Sequence, residues 1–185
     1  VVDDAGFCID SWRLFEEREP GEVNIRVINP VRSRDGWHSQ YTVVTVTAAN
    51  MPFTVDSVLM ALSHDGIVTH FLNNVVFAVE RDAGNGIVSL SQEKNHDKRE
   101  LIVFAEVDRL PDEKLPELED RLRRAVNDLS AAVSDFPAMK EKLEEIMIHL
   151  AKLIVSDRVG ASKFIEYKVV KAPEEAMTRK LVRTI

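Results

Sequence analysis

YTVVTVTAANMPFTVDSVLMALSHDG, residues 41–66, is the stretch that decides the fold. Tyr41 to Ala49 alternates and is rich in β-branched side chains, which pack well on a pleated surface, so it predicts a strand. Asn50, Met51 and Pro52 punctuate it. Proline fits the first turn of a helix, where a missing N–H leaves nothing unsatisfied. Phe53, Val55, Val58, Leu59 and Leu62 then follow a helical stripe, with Asp56 early, where the helix dipole favours an anion. Gly66 is the expected C-terminal stop.

Outward from this β–α pair the pattern stays mixed. Ile67 to Glu80 (IVTHFLNNVVFAVE) predicts one long strand, or two with a bulge at Asn73 and Asn74. Ala83 to Gly86 is a turn signal, and Ile87 to Gln92 returns as a strand. The polar run Glu93 to Glu100 reads as a loop, and Leu101 to Val107 as another strand. From Asp112 a helical face runs through Leu115, Leu118, Leu122, Ala125, Val126, Leu129, Val133 and Phe136. Pro137 predicts a break, followed by a second stripe of Met139, Leu143, Ile146, Met147, Leu150 and Leu153. Lys163 to Val170 predicts a final strand, and Pro173 to Thr184 a short helix.

This order predicts an α+β fold: a ferredoxin-like βαββαβ antiparallel sheet with helices on one face. Residues 1–35 read as an N-terminal arm in which Arg26 to Pro30 is an edge strand, since proline cannot extend a central ladder. The domain is expected over 36–172, and 173–185 begins a linker. The second sheet face also carries Val, Ile and Phe, so a second copy or a neighbouring domain is expected to cover it.

Bulk properties exclude several functions. The net charge of −7 and pI near 5.3 oppose a phosphate-backbone binder, which needs a basic face. No apolar run approaches the roughly 20 residues of a membrane helix. No basic start with an apolar core marks a signal peptide, and the single cysteine, Cys8, fits a reducing compartment, so the expected location is the cytoplasm. Val1 and the open end after Ile185 read as an excerpt of a longer chain.

Catalytic patterns are weak. The histidines 38, 64, 70, 96 and 149 have no metal-ligand spacing. Gly84-Asn85-Gly86 precedes a strand where a dinucleotide loop must precede a helix. No nucleophile elbow surrounds Ser57 or Ser63. The one place with chemical character is the connection from Asn50 to Thr54, where the free N–H groups of a helix can hold a carboxylate. Asn50, Met51, Phe53 and Thr54, with His70 on the following strand, form the candidate set for an amino-acid ligand; a plain β–α connection is the competing reading.

Gly36-Trp37-His38-Ser39 before the strand, and Met51-Pro52-Phe53-Thr54-Val55-Asp56-Ser57-Val58 after it, resemble the large NAD-dependent glutamate dehydrogenases. Arg26-Val27-Ile28-Asn29-Pro30, Leu101 to Leu110, and Phe136-Pro137-Ala138-Met139 resemble further segments of that family, as does Lys163 to Tyr167. The resemblance implies the N-terminal region of such enzymes, similar to ACT domains that pair and sense amino acids. It implies a parent that oxidises L-glutamate to 2-oxoglutarate and ammonium with NAD. The catalytic and NAD sites would lie downstream, leaving this chain with no cofactor and no active site. Expected partners are other domains and subunits of the parent, in a homo-oligomer, and an amino-acid effector. Phe53 stands where ACT ligand sites often have glycine, which favours an architectural contact. The alternative is an amino-acid-sensing module of another enzyme or regulator.

Overall fold

The computed structural model describes residues 2–92 and 98–158. The strand and helix expected over Lys163 to Val170 and Pro173 to Thr184 lie outside those residues. Five strands, β1 (Asn24–Ile28), β2 (Thr42–Ala49), β3 (Thr69–Arg81), β4 (Ile87–Ser91) and β5 (Arg99–Val107), form one sheet in the order β1-β2-β5-β3-β4. All pairings are antiparallel. The helices are α1 (Val2–Glu16), α2 (Arg32–Asp35), α3 (Thr54–Leu62) and α4 (Leu115–Arg158), with short 3-10 turns at His64–Gly66 and Asp112–Lys114. The chain divides into two compact units, Val1–Met139 and Lys140–Ile185, and the sheet lies wholly in the first.

The β2–α3–β3–β5–α4 succession is the α+β, ferredoxin-like arrangement that the sequence predicts, with β4 added as a hairpin beyond β3. One position is filled differently from expectation. The place beside β2, which a ferredoxin-like order gives to the last strand, is taken by β1, in register from Asn24 opposite Thr47 to Ile28 opposite Val43. Pro30 follows it at the edge, where a lost donor does no harm.

Alternation sorts the sheet into two faces. On one, Val44, Val46, Ala48, Leu101, Val103, Ala105 and Val107 meet Val58, Ala61 and Leu62 of α3 and Leu118, Leu122 and Val126 of α4. The second face is covered from within the chain: the N-terminal arm is a helix, α1, whose Phe15 is wholly buried with Val79 and Ile102. Edge-to-face aromatic contacts extend this layer, Phe7 with Trp37 at 5.9 Å and with Phe104 at 5.1 Å, and Phe15 lies 5.8 Å from Phe77. Trp37, of the Gly-Trp segment, is buried and donates its indole N–H to Asp10 at 2.9 Å. Gly6 is where α1 crosses the Trp37 ring, since a Cβ there would run into it.

Local details depart from the sequence reading in physical ways. α3 starts at Thr54, after Pro52 and Phe53, and ends at Leu62; Gly66, at φ +74°, closes the 3-10 turn behind it. Asn73 and Asn74 stay in register opposite Phe104 and Val103, and the irregularities fall at Thr69/Phe71 and Glu80/Arg81 instead. α4 runs through Pro137 without a break. A proline removes one i→i−4 bond, a loss that a long helix can absorb.

Candidate functional site at the strand to helix connection

β2 gives out at Ala49, and the ladder continues one step further through the Asn50 N–H, donated to the Arg99 carbonyl at 2.9 Å. Met51 packs half-buried against the main core. Thr54 is buried, and its hydroxyl donates to the Met51 carbonyl at 3.0 Å, closing a tight loop. Within that loop Phe53, the residue preceding the helix, sits at φ +66° and ψ +8°. A non-glycine residue there is strained by roughly 1–2 kcal/mol. The ring gains little burial in return, for Phe53 is 70% exposed. The N–H groups that open α3 have no partner within the helix, as at every helix start.

His70 does not join this group. It lies near the start of β3, stacked on Tyr41 at 4.4 Å, with Nε2 2.7 Å from Asp108 Oδ1. The hydrogen bond from His70, with a second from the Val68 N–H, holds the Asp108 carboxyl below its ordinary value. Asn50 pairs at the Arg99 end of β5 and His70 sits at the Val107 end, separated by roughly 27 Å at about 3.4 Å per residue. The structure therefore brings together Asn50, Met51, Phe53 and Thr54, and places His70 at the other end of the sheet.

Asn50 also lines a cleft of 1100 Å³ between the end of β2, the β3–β4 turn and the segment after α1. Its floor is a cluster that no sequence motif signalled. Glu100 accepts from Arg18 Nε at 3.1 Å and pairs with Arg18 Nη2 at 2.7 Å. It also accepts from Arg81 Nε at 3.1 Å and Nη2 at 3.0 Å. Arg81 spends its other donors on the carbonyls of Phe15, Glu16 and Asn85, and Arg18 on those of Glu19 and Glu22. Burial pushes the Glu100 carboxyl up, and the hydrogen bonds from Arg81 and Arg18 more than offset it, leaving it below the ordinary range. With its guanidinium donors engaged, Arg81 has none left for a ligand. The cluster is a staple that fastens the end of α1 to β3 and β5. A buried glutamate at the mouth of an apolar strand was the available clue, since such a charge needs partners.

The β3–β4 turn is a plain hairpin: Asp82 Oδ1 accepts the N–H groups of Gly84 and Gly86, each at 2.9 Å, and Asn85 sits at φ +69°. Among the described residues no group of three His, Cys, Asp or Glu side chains is placed to hold a metal ion.

The model of the family "Glutamate dehydrogenase, ACT1 domain" matches residues 1–122, which span α1 and the entire sheet. The chain belongs to that family. Two relatives are bacterial proteins named NAD-specific glutamate dehydrogenase. The one from Halomonas elongata is 29% identical over 171 residues, covering 88% of this chain and 11% of the relative. The one from Pseudomonas aeruginosa is 31% identical over 156 residues, covering 82% and 10%. This chain thus spans about a tenth of the length of the relatives it matches. A local similarity, 43% identical over 56 residues, covers 30% of the chain and 13% of the mitochondrial arginine biosynthesis bifunctional protein ArgJ 1 of Sclerotinia sclerotiorum. The ACT1 match includes α1, so the helix that closes the second sheet face is part of the ACT1 domain.

Proposed function

We propose that this ACT1 domain is a regulatory and assembly module at the front of a cytoplasmic, homo-oligomeric NAD-dependent glutamate dehydrogenase. The parent oxidises L-glutamate to 2-oxoglutarate and ammonium, and its glutamate and NAD sites lie outside this chain. The domain's partners are other domains and subunits of the parent. The observation that carries the assembly role is Phe53: a strained backbone holds a large apolar ring in solvent. A residue kept there against its conformational preference calls for a use, and a contact with another domain or subunit supplies one. Met60, seven residues on in α3, is a second large apolar side chain left in solvent, 76% exposed. The test is Phe53→Gly in the complete enzyme. Weakened assembly or altered regulation, with the isolated domain still folded, supports the reading; an enzyme with unchanged assembly, kinetics and effector response refutes it.

A second reading has its own support in Asn50, which joins a helix start to the cleft. In it the domain senses an amino acid, whose carboxylate the α3 N–H groups would receive. Titration calorimetry of the chain with glutamate and other amino acids tests it. Heat that vanishes in Asn50→Ala supports sensing; flat traces leave the architectural role alone.

A further inference from the structure

We infer that α1 is a releasable strap: it lifts from the sheet as a whole while the strands stay paired, and so gives the domain a second, less populated state with a bared apolar face. The inference is independent of the assembly role.

Polar joints spaced along its length hold α1 down. At its start Asp3 accepts from Arg32 Nη2 and from the His38 N–H, each at 2.9 Å. In its middle Asp10 accepts the Trp37 indole N–H at 2.9 Å and lies 3.8 Å from Arg26, and the Ser11 hydroxyl is 3.4 Å from that of Thr45. Just past its end Arg18 pairs with Glu100. Among the described side chains of α1, Phe15 is the one buried apolar group. Hydrogen bonds are exchanged for bonds to water when a segment lifts, so each joint adds only modestly to the hold.

The buried charge under the strap has a partner in both states. Arg81 on β3 donates to Glu100 on neighbouring β5 at 3.1 and 3.0 Å, across the carboxylate from Arg18. Departure of Arg18 therefore leaves Glu100 paired, and opening avoids the heavy cost of stranding a buried charge. Connectivity allows the movement too. Residues 17–23 join α1 to β1, and in them Gly21 sits at φ +86° with open space around it. β1 keeps its place through its own ladder with β2, from Asn24 opposite Thr47 onward. Gly6, Cys8, Ile9, Trp12 and Phe15 are poor or middling helix formers, and 15 residues are marginal for a helix without docking. α1 is thus docked and ordered or released and loosened, with little between. Release bares Phe77, Val79, Ile102 and Phe104, and a contact that favours either state shifts the balance between them.

Amide hydrogen exchange of the 185-residue chain, followed in a series of sub-denaturing urea concentrations, tests this. The expected result is that amides from Phe7 to Phe15 exchange through an opening with a shallower urea dependence than those of Val44 and Val103, since lifting one helix exposes less surface than unfolding the sheet. Asp10→Ala speeds the α1 amides by roughly tenfold and leaves Val44 and Val103 unchanged. A lock separates lifting from fraying in place: Ser11→Cys with Thr45→Cys, in a Cys8→Ser background, puts two sulfurs where the hydroxyls now meet. Oxidation of that pair slows the α1 amides to the rate of the sheet, and reduction restores the difference. The wild-type exchange and the lock carry the test even where Asp10→Ala does not fold. α1 amides that exchange together with the sheet in the wild type, or a closed lock that leaves their faster exchange untouched, overturn the inference.

Discussion

Replacing Glu100 by glutamine removes the carboxylate that Arg18 and Arg81 share while keeping its shape. The side chains of Arg18, Arg81 and Glu100 are 3%, 7% and 9% exposed, so solvent cannot screen what remains. Breaking a buried ion pair from one side costs about 3–5 kcal/mol, because the surviving charge stays buried. Glutamine still accepts one hydrogen bond through its carbonyl oxygen, which sets the expectation near ~3 kcal/mol. That is a large share of a total stability of about 5–15 kcal/mol. With a urea slope of about 2 kcal/mol per molar, the unfolding midpoint falls by roughly 1.5 M. The assay is urea unfolding of the chain followed by circular dichroism, paired with amide exchange. Exchange localises the effect: Arg81 holds the Phe15 and Glu16 carbonyls, so protection falls in α1 before it falls in α3. A loss under ~1 kcal/mol, the scale of an exposed ion pair, refutes the view of this cluster as a buried staple.

Phe53→Gly relieves the left-handed backbone and loses little burial, so the isolated chain gains about 0.5–1 kcal/mol, read as a higher unfolding midpoint; a destabilised variant contradicts the strain. Gly6→Ala drives a methyl group into Trp37 and destabilises by about 1–3 kcal/mol or more, with indole fluorescence shifting as α1 lifts; unchanged stability and emission argue against the contact. Leu122→Ala empties a wholly buried position between α4 and the sheet and costs about 2–5 kcal/mol in the same unfolding assay. Glu100 and Asp108 both have depressed values in the fold, so their contribution is complete above the ordinary carboxylate range, 4.5 and 3.8, and is lost as pH falls below it through the folded values. In Glu100→Gln the Glu100 share of that acid-side loss disappears, and a variant with the wild-type acid profile assigns the titration elsewhere.

The central elements were legible because their chemistry is local. Val43 to Val46 and Ile102 to Val103 belong to inner strands covered on both faces, and β-branching alone marks them. Phe53 was legible in identity but not in conformation: its positive φ belongs to the loop that the Thr54 hydroxyl and the Met51 carbonyl close, a bond no spacing rule shows. α1 was not legible as a helix. Gly6 and the aromatic residues Phe7, Trp12 and Phe15 are weak helix formers in isolation, and only their fit against Trp37, Phe104 and Phe77 holds them. The arginine staple was hidden for a similar reason: sheet pairing brings Arg81 to Glu100, and the distant Arg18 joins them only when α1 docks.

Docking of α1 has a consequence for how this domain meets other chains. Sheets with one bare apolar face join partners through that face. Here α3 and α4 occupy one face and α1 the other, locked by Glu100 and by the Trp37–Asp10 hydrogen bond. New contacts within the ACT1 unit must therefore use edges or the outer surface of a helix. The exposed apolar side chains at such places include Phe71 on β3, 46% exposed, and Phe53 and Met60 at α3, 70% and 76% exposed. Sealing the second face with α1 removes a surface on which apolar stacking in any rotation would compete with contacts of defined geometry.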